Sequence, residues 1–126
     1  MFVGLEHVAI ASPNPLALAQ WYVDHLGFRL ILERDGKCFV RASNGSVIEI
    51  IVGQGPLADA QPTDCGLRHL AIQVSDFDAA YASLAGRGVN FTGEPFQDHG
   101  NRLVFFKDGE GNLCHLIQRK EPLPLP

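Results

Sequence analysis

Two stretches of this 126-residue chain repeat one another. GLEHVAIAS begins at Gly4 and GLRHLAIQVS at Gly66, and both read Gly-Leu-charged-His-aliphatic-Ala-Ile. Their histidines, His7 and His69, stand 62 positions apart. A repeat of that period makes the fold two copies of one module and puts a histidine at the same place in each. Duplicated modules can bring side chains from both copies to one point.

The rest of the chain supports a duplicated module. The expected order is β-α-β-β-β, written twice. A first strand covers Leu5 to Ala11, and Ser12-Pro13-Asn14-Pro15 opens a helix, since proline suits the first turn and small polar residues cap it. Leu18, Tyr22 and Leu26 recur on one helical face, and Gly27 follows as a stop. Strands at FRLILE, KCFVRA and SVIEIIV are separated by the hairpin dipeptides Asp35-Gly36 and Asn44-Gly45. Module one thus spans about 1–53, a Gly/Pro-rich linker about 54–66, and module two about 67–120. In the second copy a strand from Leu67 to Val74 precedes a helix with Ser75 and Asp78 at capping-box spacing. The stripe Phe77, Ala80, Tyr81, Leu84 continues that helix to Gly86 or Gly88, and strands near VNFT, RLVFFK and LCHLIQ complete the module. The tail KEPLPLP is expected to leave the fold.

Bulk properties narrow the function classes. The length suits one compact domain, and 46% apolar with 19% charged residues is a globular balance. The longest apolar stretch, VIEIIV, is of strand length and carries Glu49, so no membrane span is expected. Residues 1–15 show no signal-peptide pattern, which makes the cytoplasm the default location. A formal charge of −4 argues against a nucleic-acid partner. Cys38, Cys65 and Cys114 form no CxxC pair, so neither a disulfide framework nor a zinc ribbon is expected.

Alternation along the first strands puts Val8 and Ile10, and likewise Leu70 and Ile72, on an apolar face for the helix to cover. His7 and His69 then lie on the opposite face. Aligning the last strands through their turns matches Glu49 with His115, 66 positions apart. Each module therefore supplies one ligand-type residue from its first strand and one from its last. If those strands are neighbours, His7, Glu49, His69 and His115 converge as ligands for one divalent ion, for which Zn, Ni, Mn and Fe(II) all accept imidazole and carboxylate. Glu49 is a buried-strand carboxylate that needs a compensating partner: a metal, or an arginine such as Arg41 or Arg102. His25, near a helix end, reads as a dipole partner, and His99 as a solvated loop residue or a substrate contact. Cys114 turns to the face opposite His115. Phe39, Phe105 and Phe106 are candidates for lining a cavity, with their orientation open.

These residues resemble the vicinal oxygen chelate superfamily, which includes glyoxalase I, extradiol dioxygenases, fosfomycin-resistance enzymes and bleomycin-resistance proteins. The resemblance covers almost the whole chain. It rests on the His7 strand, the run GLRHLAIQVSDFDAAYASLAGRGV, and FFKDGEGNLCHLIQ, which looks like the family's F-x-D-P-D-G-N-x-x-E-L with Gly109 in place of Pro and His115 in place of Glu. It implies an α+β fold of tandem βαβββ modules whose curved mixed sheet surrounds a central cavity, with helices outside. It also implies His7, Glu49, His69 and His115 as metal ligands.

The function it implies is a glyoxalase I-like, metal-dependent lyase or isomerase acting on a small substrate with vicinal oxygens. One family carboxylate is missing, so the proton must move through Glu49 or through His115. The alternatives are a metal-dependent dioxygenase and a non-catalytic small-molecule binder of the bleomycin-resistance type. The expected partner besides substrate is a second copy, in a homodimer with modules paired within a chain or exchanged between chains.

Overall fold

Strand β1 (Val8–Ser12) starts directly after His7 and leads into helix α1 (Pro15–Leu26). Strands β2 (Arg29–Arg34), β3 (Lys37–Arg41) and β4 (Val47–Val52) follow. The order then repeats as β5 (Leu70–Gln73), α2 (Phe77–Gly86), β6 (Phe96–Asp98), β7 (Asn101–Lys107) and β8 (Leu113–Gln118). This computed structural model describes residues 1–126. It is an α+β chain of two compact units, Met1–Pro56 and Leu57–Pro126. Most of the Gly/Pro-rich segment between the modules packs with the second unit.

Both units have one topology. The strand orders are β1-β4-β3-β2 and β5-β8-β7-β6, with β1 parallel to β4, β5 parallel to β8 and every other pair antiparallel. First and last strands are thus neighbours in each sheet. Asn14 caps α1, its Oδ1 accepting from the Ala17 amide at 3.3 Å, and Gly27 ends the helix in the left-handed region at φ 72°.

Three local expectations need correction. The cap of α2 is Asp76, not Ser75: the Asp76 carboxylate accepts from the Ala79 amide at 3.1 Å, while the Ser75 carbonyl accepts from Gln118 Nε2 at 3.2 Å. An aspartate caps as well as a serine, and Gln118 already holds Ser75. The segment VNFT makes only an isolated bridge, Phe91 to Phe106. The short strand forms instead at Phe96–Asp98, because His99 (φ 52°) and Gly100 (φ 83°) make the same double positive-φ turn as Asp35 (φ 53°) and Gly36 (φ 80°). Lastly, β1 and β5 begin after their histidines, so His7 and His69 stand at strand entrances.

The cores explain the faces. Helix α1 packs on all four strands of its sheet and buries Leu18, Ala19 and Tyr22 on the side of Cys38, Val40, Ile48 and Ile50. In the second unit Phe77 and Leu84 are buried with Val104, Phe106, Cys114 and Leu116. Every one of these strand residues is even-numbered. Alternation therefore sends Phe39, Glu49, Phe105 and His115 to the face away from the helix.

One glycine is required by close approach. Gly53 donates its amide to the Ser12 carbonyl at 2.7 Å, and a Cβ there would sit 2.8 Å from Ser12 N and 2.9 Å from the Ala11 carbonyl carbon. Backbone atoms cannot swing aside, so Gly53→Ala must pry β4 from β1. We expect a loss of about 1–3 kcal/mol, read as a lowered urea midpoint. An unchanged midpoint would contradict this packing.

Candidate functional site

The parallel pairing of β1 with β4 places Ala9 opposite Glu49, and His7 precedes Ala9 by two residues. His7 Nε2 lies 3.9 Å from Glu49 Oε1. Its other ring nitrogen, Nδ1, donates to Glu6 Oε1 at 2.9 Å. Across β3, Phe39 is the register partner of Glu49, and its ring meets His7 edge-on with centroids 6.1 Å apart. His7 and Glu49 are both half-buried.

The second unit repeats this placement residue for residue. Ala71 pairs with His115, His69 precedes Ala71 by two, and the two imidazole centroids are 4.6 Å apart. Phe105 is the register partner of His115 and meets both rings edge-on, at 5.7 Å from His69 and 5.0 Å from His115. The trio His7, Glu49, Phe39 is thus matched by His69, His115, Phe105. Within each unit two donors meet; no group of three or more His, Cys, Asp or Glu gathers in either.

These donors fit a divalent cation chemically. Metal-binding histidines characteristically give one ring N–H to an oxygen and present the other nitrogen to the ion. His7 does so through Glu6, and His115 through the Leu116 carbonyl, 3.2 Å from its Nδ1. Burial holds the His115 pKa below its usual value, and the neighbouring His69 and Arg119 act in the same direction, against the Leu116 carbonyl. The neutral imidazole that results is the ligating form. Donors about 2.1 Å from a shared ion stand about 3.0–3.4 Å apart. The 3.9 Å between His7 Nε2 and Glu49 Oε1 is about 0.5–0.9 Å wider than that.

The shifted His115 also makes a stability prediction for chelator-treated protein. The unfolded imidazole titrates near the ordinary histidine value of 6.5, above its folded value. Below that pH the unfolded chain takes up a proton that the folded chain resists. Stability should therefore fall as pH drops below that value, and less so in His115→Gln. Urea midpoints between pH 5 and 8 check this; parallel profiles for the two proteins would contradict it.

Other residues singled out in the sequence fall elsewhere. Arg102 does not compensate Glu49. It is even-numbered and turns to the helix side, where Nη2 meets Asp78 Oδ1 at 2.8 Å and Cζ sits 4.5 Å from the Phe77 ring centroid. Arg41 shares the face of Phe39 but is exposed. His25 accepts a structural role, with Nδ1 3.0 Å from the Trp21 carbonyl and its ring stacked on Trp21. His99 is an exposed turn residue beside Asp98. Phe106 and Cys114 are fully buried on the helix side. Glu6, the carboxylate that holds the His7 ring, directly precedes the candidate ligand, and that adjacency is its one signal in the sequence.

Comparison with known proteins agrees with this architecture. Residues 4–116 match the family model described as the Glyoxalase/Bleomycin resistance protein/Dioxygenase superfamily. The uncharacterised protein YaeR of Escherichia coli (strain K12) is 35% identical over 125 residues, covering 91% of this chain and 95% of that one. Biphenyl-2,3-diol 1,2-dioxygenase 3 of Rhodococcus globerulus is 26% identical over 117 residues, 89% of this chain but 61% of the dioxygenase. Among solved structures, a glyoxalase family protein from Enterococcus faecalis superposes with a TM-score of 0.78 at 29% identity, covering 93% of this chain and 98% of that one. No helix is long and apolar enough to cross a membrane.

Proposed function

This chain belongs to the Glyoxalase/Bleomycin resistance protein/Dioxygenase superfamily, and we propose that within it the chain is a metal-dependent lyase or isomerase acting on a small substrate with vicinal oxygens. Members of the superfamily often bind a divalent metal and generally bind small molecules. The observation that carries the reading is the matched trio: the same register slot holds Glu49 in one unit and His115 in the other, each beside a strand-entrance histidine. His7, Glu49, His69 and His115 are the ligands, drawn from one chain or from two copies of it in a homodimer. A divalent ion held by three imidazoles and one carboxylate supplies Lewis-acid polarisation of a carbonyl or hydroxyl oxygen.

Glu49 is the base. It takes the proton from the carbon between or beside the two oxygens and returns it to the neighbouring carbon. His115 is the weaker candidate, because burial lowers its basicity and its Nδ1 is committed to Leu116. Glu6 fixes the His7 ring, so that Nε2 faces the site. Phe39 and Phe105 wall the donors with apolar edges that limit water.

Proton transfer is testable without the full reaction. Metal-loaded protein is incubated in deuterium oxide with a panel of α-hydroxyketones and α-ketohemithioacetals, and exchange at the carbon-bound proton is followed by NMR. Metal-dependent exchange supports the reading. The relationship to a dioxygenase favours a second reading, ring cleavage of a catechol. Oxygen uptake with catechols, and no exchange across the panel, would replace the first reading by the second.

A further inference from the structure

The second unit contains a cavity of about 440 Å³ lined by Lys107, Leu113, Thr92, Arg68, Leu57 and Asp59, among others. Resting on the reading above, we infer that this cavity is a subsite for an anionic arm of the substrate, a carboxylate or a phosphate, selected by Lys107.

The register places the cavity beside the candidate ligands. Lys107 is two residues beyond Phe105 and pairs with Leu113, which is two residues before His115. All four side chains share the face away from the helix. A two-residue step along a strand is about 7 Å, the reach of a substrate whose anionic group is a few carbons from its oxygen pair. Thr92 joins the same face, because its neighbour Phe91 turns to the buried Phe106 ring.

The charges in the cavity are available. Lys107 is half-buried, and its ammonium takes part in none of the ion pairs or side-chain hydrogen bonds of the structure. The adjacent Asp108 is turned into its own loop, where its carboxylate accepts from the Glu110 and Asn112 amides and from Asn112 Nδ2. Arg68 is anchored by two neutral oxygens, with Nη1 3.0 Å from the Gln61 carbonyl and Nε 3.3 Å from the Gly66 carbonyl. Those bonds aim the guanidinium without cancelling its charge. Against two cations the lining sets one carboxylate, Asp59. The equivalent slot of the first unit also holds a cation, since Arg41 pairs with Val47 as Lys107 pairs with Leu113.

Two arms test the inference. In the first, chelator-treated protein labelled with 15N is titrated with propionate and, separately, with inorganic phosphate. Saturable shifts at the amides of Arg68, Lys107 and Leu113 are expected with at least one of them, lost in Lys107→Met and kept in Lys107→Arg. The anion giving the tighter saturation identifies the arm as carboxylate or phosphate. In the second arm, metal-loaded protein is titrated by calorimetry with 2-oxoglutarate and 2-oxopentanoate, which share an oxygen pair and differ in the distal carboxylate. Where the first arm selects the carboxylate, wild type should prefer 2-oxoglutarate by about tenfold, and Lys107→Met should bind both alike. Absence of saturable shifts with either anion, or shifts that persist in Lys107→Met, overturns the inference. Because the first arm contains no metal, anion binding without metal binding would sink only the metal-centre reading, and metal binding without anion binding only this one.

Discussion

Glu49→Gln is expected to lower metal-dependent proton exchange by about 10²–10⁴-fold, the usual contribution of a positioned base, while leaving the fold intact. Glutamine keeps the size of the side chain and removes the charge and the basicity. The neighbouring group is His7 Nε2 at 3.9 Å, and an amide satisfies that nitrogen at least as well as a carboxylate does. The urea midpoint of the chelator-treated variant should therefore match that of the wild type. The comparison with His115→Gln is informative. If His115 is a ligand and not the base, His115→Gln weakens metal binding, and exchange recovers when excess metal is supplied. Exchange in Glu49→Gln does not recover. Full exchange by Glu49→Gln would remove Glu49 as base and hand the role to His115.

The second large effect is structural. Phe105 and Phe106 are adjacent and chemically identical, yet Phe106 is fully buried against the helix side and Phe105 edges onto His69 and His115. Phe106→Ala should cost about 3–5 kcal/mol, enough to unfold a domain of ordinary stability at modest urea. Phe105→Ala should cost much less and instead disturb ligand binding, because its ring meets the candidate donors His69 and His115 and otherwise stacks only on the exposed Phe96. Urea midpoints for both variants check this. Equal losses would mean that the two faces of β7 are not divided as described.

Much of this was legible in the sequence because it depends on local patterns that tolerate small errors. The GLEHVAI and GLRHLAI repeat implied two equal units, and the two sheets have the same strand order. Pairing Glu49 with His115 across the repeat needed only the turns before them, and the register bears it out. The α2 cap and the short β6 strand fall elsewhere than the local pattern puts them, while the α1 cap lies where it is expected. Each departure turns on a choice between nearby positions of similar propensity: Ser75 against Asp76, and VNFT against Phe96–Asp98, with three residues between them. The role of Arg102 is not legible locally, because its partner, Asp78, sits on a helix 24 positions earlier in the chain and no local pattern links the two. The orientation of the phenylalanines could have been read. Phe39 and Glu49 lie equally far from Asn44, and Phe105 and His115 equally far from Glu110, so counting outward from each turn pairs them. Lys107 and Arg68 gave no signal alone, since a cation on a strand is ordinarily solvated. Only the cavity and the lack of an ion-pair partner for Lys107 single it out.

The most direct test of a shared metal centre is metal stoichiometry, by element-specific analysis, of wild-type protein and of His7→Ala and His69→Ala separately. A single centre built from both pairs predicts one tightly held divalent ion per chain in the wild type, and its near-complete loss in either variant, whichever unit carries the change. An ion that survives in one variant, or a wild type that holds none after exposure to Zn, Ni, Mn and Fe(II), would contradict it.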